Sequence, residues 1–583
     1  MTSTAAGTEI SVSAPRLLPR GTQIVAGVLL LILIWQVAVP IAGLVLSSLK
    51  TVRPIDPGFL FSPLTFANFA RLIETGSLAA VTWTTLKFAF LSSLLALAFG
   101  TFLAWVSTRT DLRLGWFIGT FVLLQLAVPE LLVPTSWTFL YSPELGWFNR
   151  LWASTTGADT PLFDIYSFTG MVIVEAFVLL PLIYLFAVPA LSALDGTLED
   201  AAMIAGAGRF RATMQVAMPL AVPALMATWV IAFMRAWEAF EVPWVLGLRS
   251  RTMTYATRIY WDTVTPPSNT GLISAYAVPM MLFAVLLVLL YYHFVGKSDR
   301  YGVISGKPMA PRITRLEGFG RLAVGTGTLL LVGIGIALPI LMLAWLSFLP
   351  FYRPPSLAAL DALSTASYVR VFNAEGLLRS VTSSVVVGAG AALLLIAAAI
   401  GIAWLSRFRN VTGGRAIQIL SFAPIAIPNI IVGLAFLWLY MGLKVPVGGT
   451  YLALILAYFT LFLAITSRNI EARFVQVNKE LYEASSVAGA GDMRTLLSIV
   501  LPMLGPAVLA AALYIMIWAF KELPASLLLS ASKTRTVAVF MFDMSRNGSM
   551  SQLAAVGMTT VGVLAILILA FQVVARRAGM RGF

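Results

Sequence analysis

Apolar runs of roughly twenty residues recur about twelve times along the chain, and a lipid bilayer is the solvent that accommodates that pattern. A helix needs about 20 consecutive apolar residues to cross the hydrocarbon core. The runs lie near 24–48, 80–107, 115–140, 169–190, 214–240 and 272–294, and again near 322–349, 380–405, 415–441, 450–467, 499–520 and 552–575. Of 583 residues, 59% are hydrophobic and 11% charged, where a soluble domain has about 45–50% and about 25%. A large soluble protein still needs a charged surface, so the excess apolar surface must meet lipid. The expected fold is an all-α polytopic membrane protein of about twelve transmembrane helices.

The net charge of +14 does not imply a nucleic-acid partner, because Lys and Arg gather at the ends of the apolar runs, where headgroups lie. An even number of spans puts both termini on one side. The segments sharing that side carry Arg16 and Arg20, Arg109 and Arg113, Arg209 and Arg211, a basic cluster from Lys297 to Arg321, Arg407 to Arg415, Arg468 to Arg494, and Arg576 to Arg581. The positive-inside rule makes that side cytoplasmic. The first run is too long for a signal-peptide core and is read as an uncleaved span. There is no cysteine and a single histidine, His293, beside Tyr291 and Tyr292 at the end of a span. Thiol chemistry, a histidine metal site and a Ser-His-Asp triad are therefore excluded or disfavoured.

The chain repeats itself. Ala104-Trp105-Val106-Ser107 matches Ala403-Trp404-Leu405-Ser406, and Val128-Pro129 matches Ile427-Pro428, both 299 positions later. Further on, Gly206 matches Gly489 and Pro219 matches Pro502, 283 positions later. The first half thus carries about 16 extra residues, placed in the polar stretch around Tyr141–Tyr166, where an outer loop tolerates insertion. The division is a tail at 1–20, a first membrane-spanning half at 21–295, a basic linker at 296–321 and a second membrane-spanning half at 322–583. Two parallel halves imply a pseudo-two-fold axis along the membrane normal, with a pathway between them.

One loop in each half carries a matching signature. After the fourth span the chain reads Leu198-Glu199-Asp200-Ala201-Ala202-Met203-Ile204-Ala205-Gly206, reaching Pro219. Its counterpart reads Leu481-Tyr482-Glu483-Ala484-Ser485-Ser486-Val487-Ala488-Gly489, reaching Pro502. The acid favours a first helical turn, the small residues keep one face slim, and Gly permits a sharp exit. Pro is expected to open the next span, where its missing N–H is harmless.

This doubled pattern resembles the Glu-Ala-Ala coupling loop of permease subunits of bacterial ABC importers. The resemblance covers nearly the whole chain and implies the type I importer fold in the inner membrane. It also implies two copies of an ATPase subunit seated on the two loops and a periplasmic substrate-binding protein on the outer face. The coupling positions it implies are Asp200, Ala201 and Gly206, and Glu483, Ala484 and Gly489. Glu199, Ala202, Pro219, Ser485 and Pro502 belong to the same motifs. Asp200 stands where Glu is usual, with Glu199 before it, so which acid engages the ATPase stays open. A phosphate-binding loop needs Gly-x4-Gly-Lys-Ser/Thr; at Gly296-Lys297-Ser298 the first glycine position holds Tyr291. The chain is therefore expected to bind no cofactor and to be no enzyme, with ATP and Mg2+ on the partner ATPase.

Charges within spans usually have a partner or line a cavity. They cluster in Arg235-Ala236-Trp237-Glu238-Ala239-Phe240-Glu241-Val242-Pro243 and in Lys521-Glu522-Leu523-Pro524, with Glu130 and Glu175 as further pathway candidates. Aligning Glu241-Val242-Pro243 with Glu522-Leu523-Pro524 puts two carboxylates at equivalent places, able to face one another across the pathway. They either accept a hard cation such as Fe3+ transiently or balance charge locally, Glu238 with Arg235 and Glu522 with Lys521; chemistry alone favours the second. The same segments resemble signatures of the fused ferric-iron importer permeases. That resemblance implies ferric iron as cargo, while permeases for thiamine, polyamines, phosphonates and sulfate share the architecture. An ion-coupled secondary transporter also has about twelve helices, but would need no coupling loops.

Overall fold

The computed structural model describes residues 20–194, 196–212, 215–216, 218–298, 313–408, 411, 413–443 and 446–577. The N-terminal tail and most of the basic linker lie outside the described residues. Ten helices are long and apolar enough to span a bilayer, or twelve if each of two bent pairs counts as one span.

In the first half these are α1 (Gly21–Ser48), α2 (Ser77–Arg109), the bent pair α3 (Gly115–Ala127) and α4 (Leu132–Tyr141), and, after a short helix α5 (Trp147–Thr156), α6 (Phe168–Ser192). Then come the loop helix α7 (Gly196–Ile204), α8 (Met218–Trp237) and α9 (Thr270–Ser298). The second half repeats the order: α10 (Gly318–Ser347), α11 (Glu375–Phe408), the bent pair α12 (Gly414–Ala426) and α13 (Asn429–Leu443), and α14 (Tyr451–Phe474). It ends with the loop helix α15 (Lys479–Val487), α16 (Asp492–Lys521), the short α17 (Pro524–Leu529) and α18 (Met550–Arg577). Leu31, Leu282, Leu393 and Ile566 stand exposed on these spans, the distribution that hydrocarbon rather than water requires.

Two sequence expectations are corrected here. The runs at 115–140 and 415–441 are not straight: each breaks by 112° at Val128-Pro129 and Ile427-Pro428. Pro disfavours helical backbone in the residue before it, and Val128 and Ile427 are both extended. Nor does Pro502 open a span. It lies inside α16, directly after a widened π turn at Leu496–Val500 that absorbs the missing N–H. Pro219 stands in the matching place, at the start of α8 with Gln215 and Val216 in π backbone shortly before it. The same device appears in both first spans, where π turns at Ile34–Ala38 and Gly333–Ala337 precede Pro40 and Pro339.

The halves interlock. The end of α1 packs on α13 of the other half, and the end of α10 packs on α4. Within each half the second span packs along the fourth, α2 on α6 and α11 on α14. The insertion of the first half is not plain loop but carries α5. Its Asn149 amide donates to the carbonyls of Tyr141, Ser142 and Phe163 at 3.0, 2.9 and 2.8 Å, closing the excursion.

Candidate functional site: twin loop helices and a carboxyl-lined cavity

The two loop helices end alike. Gly206 and Gly489 adopt φ of +93° and +81°, a conformation open to glycine and strained for most other residues. The six-residue bonds Ala207 N–H to Ala202 O and Ala490 N–H to Ser485 O, both 3.0 Å, close a Schellman-type C-cap at each. The outward stripe is also shared: Asp200, Ala201 and Ile204 are exposed on α7, and Glu483, Ala484 and Val487 on α15. Ile204 and Val487 are 89% and 90% exposed, large apolar groups in the same register on a loop surface.

The inward face differs. Glu199 is buried, with an Oε2 3.8 Å from Nη1 of Arg109 at the end of α2, each side chain only 4% exposed. The acid next to it, Asp200, faces out. On α15 the place of Glu199 is taken by Tyr482, whose hydroxyl donates to Asp492 Oδ1 at 2.7 Å and accepts from the Trp404 indole at 3.4 Å. Ser485 adds a 2.8 Å hydroxyl contact to Thr495, where α7 has Ala202. Arg109 counted in the sequence only as a cytoplasmic charge; its role as an anchor needed the fold.

Deep in the bundle the charged residues meet around one cavity of about 140 Å³. Its depth follows from helix rise: the 13 residues of α3 and the 20 of α8 put the site about 20–30 Å from the loop side, within the membrane. Glu130 in the first bend, Glu175 on α6, Glu238 and Glu241 beyond α8, and Glu522 beyond α16 bring five carboxyls against two cations, Arg235 and Lys521. Every pathway candidate is thus in one place.

Their engagements differ. Arg235 holds Glu238 at 2.5 Å and Glu130 at 3.5 Å, so the expected Arg235–Glu238 balance is present. Lys521 does not pair with Glu522, correcting the other half of that expectation: its ammonium donates to the Leu126 carbonyl at 2.9 Å. A carbonyl just before the Pro129 break has lost helical donors, so the bend supplies the acceptor. Both oxygens of Glu522 are taken by the first turn of α17, from Ala525 N–H at 2.9 Å and from Ser526 N–H and hydroxyl at 3.1 and 2.7 Å. The free N–H groups of a helix start favour a carboxylate. Glu241 instead begins its own helical segment, so the two acids are not equivalent in the way their alignment predicts. Glu175 and Glu241 are 3% and 7% exposed and line the cavity. Neither makes a hydrogen bond or close ion pair to another side chain among the described residues; Glu241 is met by its own backbone N–H, and Arg235 attracts both from a distance. No group of three or more His, Cys, Asp or Glu residues is arranged to hold a metal among the described residues; the transient Fe3+ contact expected of Glu241 with Glu522 therefore has no ready-made chelate here.

Asn429 escaped the sequence reading. Its backbone N–H, freed by the second bend, donates to Glu238 Oε2 at 3.3 Å. The alignment that pairs Val128-Pro129 with Ile427-Pro428 puts Asn429 opposite Glu130, a signal that was available.

Residues 395–578 match the family model described as the binding-protein-dependent transport system inner membrane component. A ferric transport system permease protein of Actinobacillus pleuropneumoniae is 21% identical over 87% of this chain and 73% of its own length. A putative ferric transport system permease protein of Haemophilus influenzae is 21% identical over 82% of this chain and 74% of its own. A putative 2-aminoethylphosphonate transport system permease protein of Salmonella typhimurium is 24% identical over 34% of this chain and 75% of its own. Ten to twelve apolar spans among the described residues, the twin loop helices and these likenesses agree: the chain is similar to the multi-pass inner-membrane permeases of ABC importers.

Proposed function

We propose that this permease takes ferric iron from a periplasmic binding protein and passes it to the cytoplasm, driven by two copies of a separate ATPase subunit. The observation that carries the reading is the repeated outward stripe of α7 and α15. An acid, a small residue and an 89–90% exposed aliphatic stand in the same register twice, on a side rich in Lys and Arg. An exposed aliphatic there has no lipid to enter, and a cleft on a partner protein would bury it. Each stripe seats in one ATPase, with Asp200 and Glu483 as the engaging acids and Glu199 turned inward as an anchor. ATP and Mg2+ stay on the ATPase, and this chain binds no cofactor. Both termini and both loop helices are cytoplasmic, and the outer loops, α5 among them, receive the binding protein.

With the ATPases apart the pathway opens to the cytoplasm. Their closure on ATP draws α7 and α15 together and turns the central cavity toward the loaded binding protein. Five carboxyls around that cavity favour a cation as cargo over phosphonate or sulfate. A space of about 140 Å³ is below the roughly 300 Å³ at which organic-ligand pockets begin, which favours a metal cation over thiamine or a polyamine in this conformation.

The test is reconstitution of the permease with its ATPase and iron-loaded binding protein in liposomes. ATP-dependent iron accumulation that survives collapse of the proton gradient is expected. Uptake that persists without ATP and stops with the gradient would instead identify an ion-coupled secondary transporter.

A further inference from the structure

We propose that Glu175 and Glu241 form the cargo station of the permease, a carboxyl pair supplied by the first half alone that receives a small, oxygen-seeking cation with part of its water shell. The inference rests on the iron-import reading for the cargo's name, but on the cavity itself for the site.

The argument is by elimination of commitments. Of the charged groups on the cavity, Glu130 and Glu238 are held by Arg235, Glu522 is held by the start of α17, and Lys521 is held by the Leu126 carbonyl. Trp518 further restrains both cations, its ring 5.4 Å from the Arg235 guanidinium and 5.3 Å from the Lys521 ammonium. What remains is two carboxyls, more than nine-tenths buried and lining the cavity, neither held by another side chain at close range among the described residues, with Glu241 met only by its own backbone N–H. Ionisable groups at membrane depth are costly, and those that stay there face a cavity or a partner and mark ion routes. Glu175 rides on α6, the span that leads into the loop helix α7. Glu241 stands just beyond α8, the span that leaves that loop. The two spans that flank the first coupling loop therefore each carry one carboxyl, and a shift of that loop alters the distance between them.

The volume sets the form of the cargo. About 140 Å³ accommodates a metal ion with several waters, each of which needs about 10–15 Å³ of such space. Two carboxyls hold such an ion too weakly to trap it, and conduction requires that binding be strong enough to admit the ion yet weak enough to release it. The lack of a three-ligand group among the described residues fits a station rather than a storage site.

The test has two independent arms. Purified permease is titrated with Tb3+, a hard trivalent probe whose luminescence is sensitised by a nearby indole, here Trp518. Sensitised emission is expected from the wild type and from Glu522→Gln, and is expected to fall about tenfold or more in the Glu175→Gln, Glu241→Gln double variant. Undiminished emission from the double variant overturns the station. The second arm measures uptake in the reconstituted importer. The double variant is expected to lose iron uptake about tenfold or more while ATP hydrolysis stimulated by loaded binding protein stays within about twofold. Full-rate uptake overturns the station and leaves the iron-import reading standing; Tb3+ bound at the pair in an importer that does not move iron overturns the cargo and leaves the station. If the double variant fails to assemble, Glu241→Gln alone is read against Glu241→Asp in both arms. The station requires the Asp variant to retain at least half the emission that the Gln variant loses, and equal emission from the two overturns it.

Discussion

The loop helices α7 and α15 present the same face outward and are fastened by different chemistry inward. Outside, Asp200-Ala201 with Ile204 repeats as Glu483-Ala484 with Val487. Inside, α7 is held by a buried ion pair to the end of α2, and α15 by neutral and charge-assisted hydrogen bonds through Tyr482 and Ser485. A shared outer face is what two copies of one partner demand. The inner faces meet two bundles that have diverged, so each needs only to be rigid. The difference therefore separates what is constrained by recognition from what is constrained by support.

That comparison breaks most readily at Glu199. Removing one member of a buried ion pair costs about 3–5 kcal/mol in a tight pair; at 3.8 Å the pair is loose, and Glu199→Gln is expected to destabilise by about 3 kcal/mol. Thermal unfolding of the purified permease measures it, and a loss below that of any α15 anchor variant would mean the two anchors do not differ in kind. Next in size is the glycine turn. Gly489→Val and Gly206→Val each force a β-branched residue into left-handed backbone, at about 1–2 kcal/mol, with open space around both positions. Because nothing clashes, the folding cost stops at that strain, a loss of no more than about 1–2 kcal/mol in thermal unfolding, while the misdirected turn spoils docking and iron uptake falls about tenfold. Equal effects at the two glycines support equivalent docking, and an effect at one alone breaks the equivalence. Smaller still, Tyr482→Phe removes the bond to Asp492 and is expected to destabilise by about 1 kcal/mol, a third of the Glu199→Gln effect in the same assay.

The sequence exposed the outer face more fully than the inner one for a physical reason. Spans, halves and the twin stripes follow from hydropathy, repeat spacing and the special backbone of glycine and proline, all local signals. The 112° breaks at Pro129 and Pro428 were also written locally, but a continuous apolar run masked them. Partner choice is not local. Lys521 and Glu522 are adjacent in the chain and read as a pair, yet each found a stronger partner in backbone groups that bends and helix starts leave open, the Leu126 carbonyl and the Ala525 and Ser526 amides. Arg109 and Glu199 are 90 positions apart and gave no sign of contact. Glu175 and Glu241 stood among six pathway candidates in the sequence. Only the engagement of the other four marks them out.

The mildest test of the comparison concerns a support that the described part of the second loop region does not show. Just after Arg109, the backbone of Thr110 bridges to Thr314, with Thr314 N–H donating to Arg109 O at 2.7 Å and Asp111 N–H to Thr314 O at 3.2 Å. Asp111 then accepts from the Leu316 N–H at 3.0 Å and meets Arg321 at 2.8 Å. The end of the linker is thus strapped to the segment that anchors α7, tying the first coupling loop to the entry of the second half. The Leu316 amide, with the Arg321 guanidinium, holds the Asp111 carboxyl below its ordinary value. A carboxyl lowered in the folded state stabilises above its unfolded pKa, and that contribution is lost as pH falls through the folded one. The strap is therefore expected to be intact at neutral pH and to loosen only below about pH 4. Asp111→Asn keeps an acceptor for Leu316 but lacks the charge. It is expected to speed hydrogen exchange at the Leu316 amide about two- to threefold at neutral pH, with no change in unfolding temperature. Unchanged exchange would show that the backbone bridge alone fastens the linker, and the support of α7 would then reduce to the Arg109–Glu199 pair.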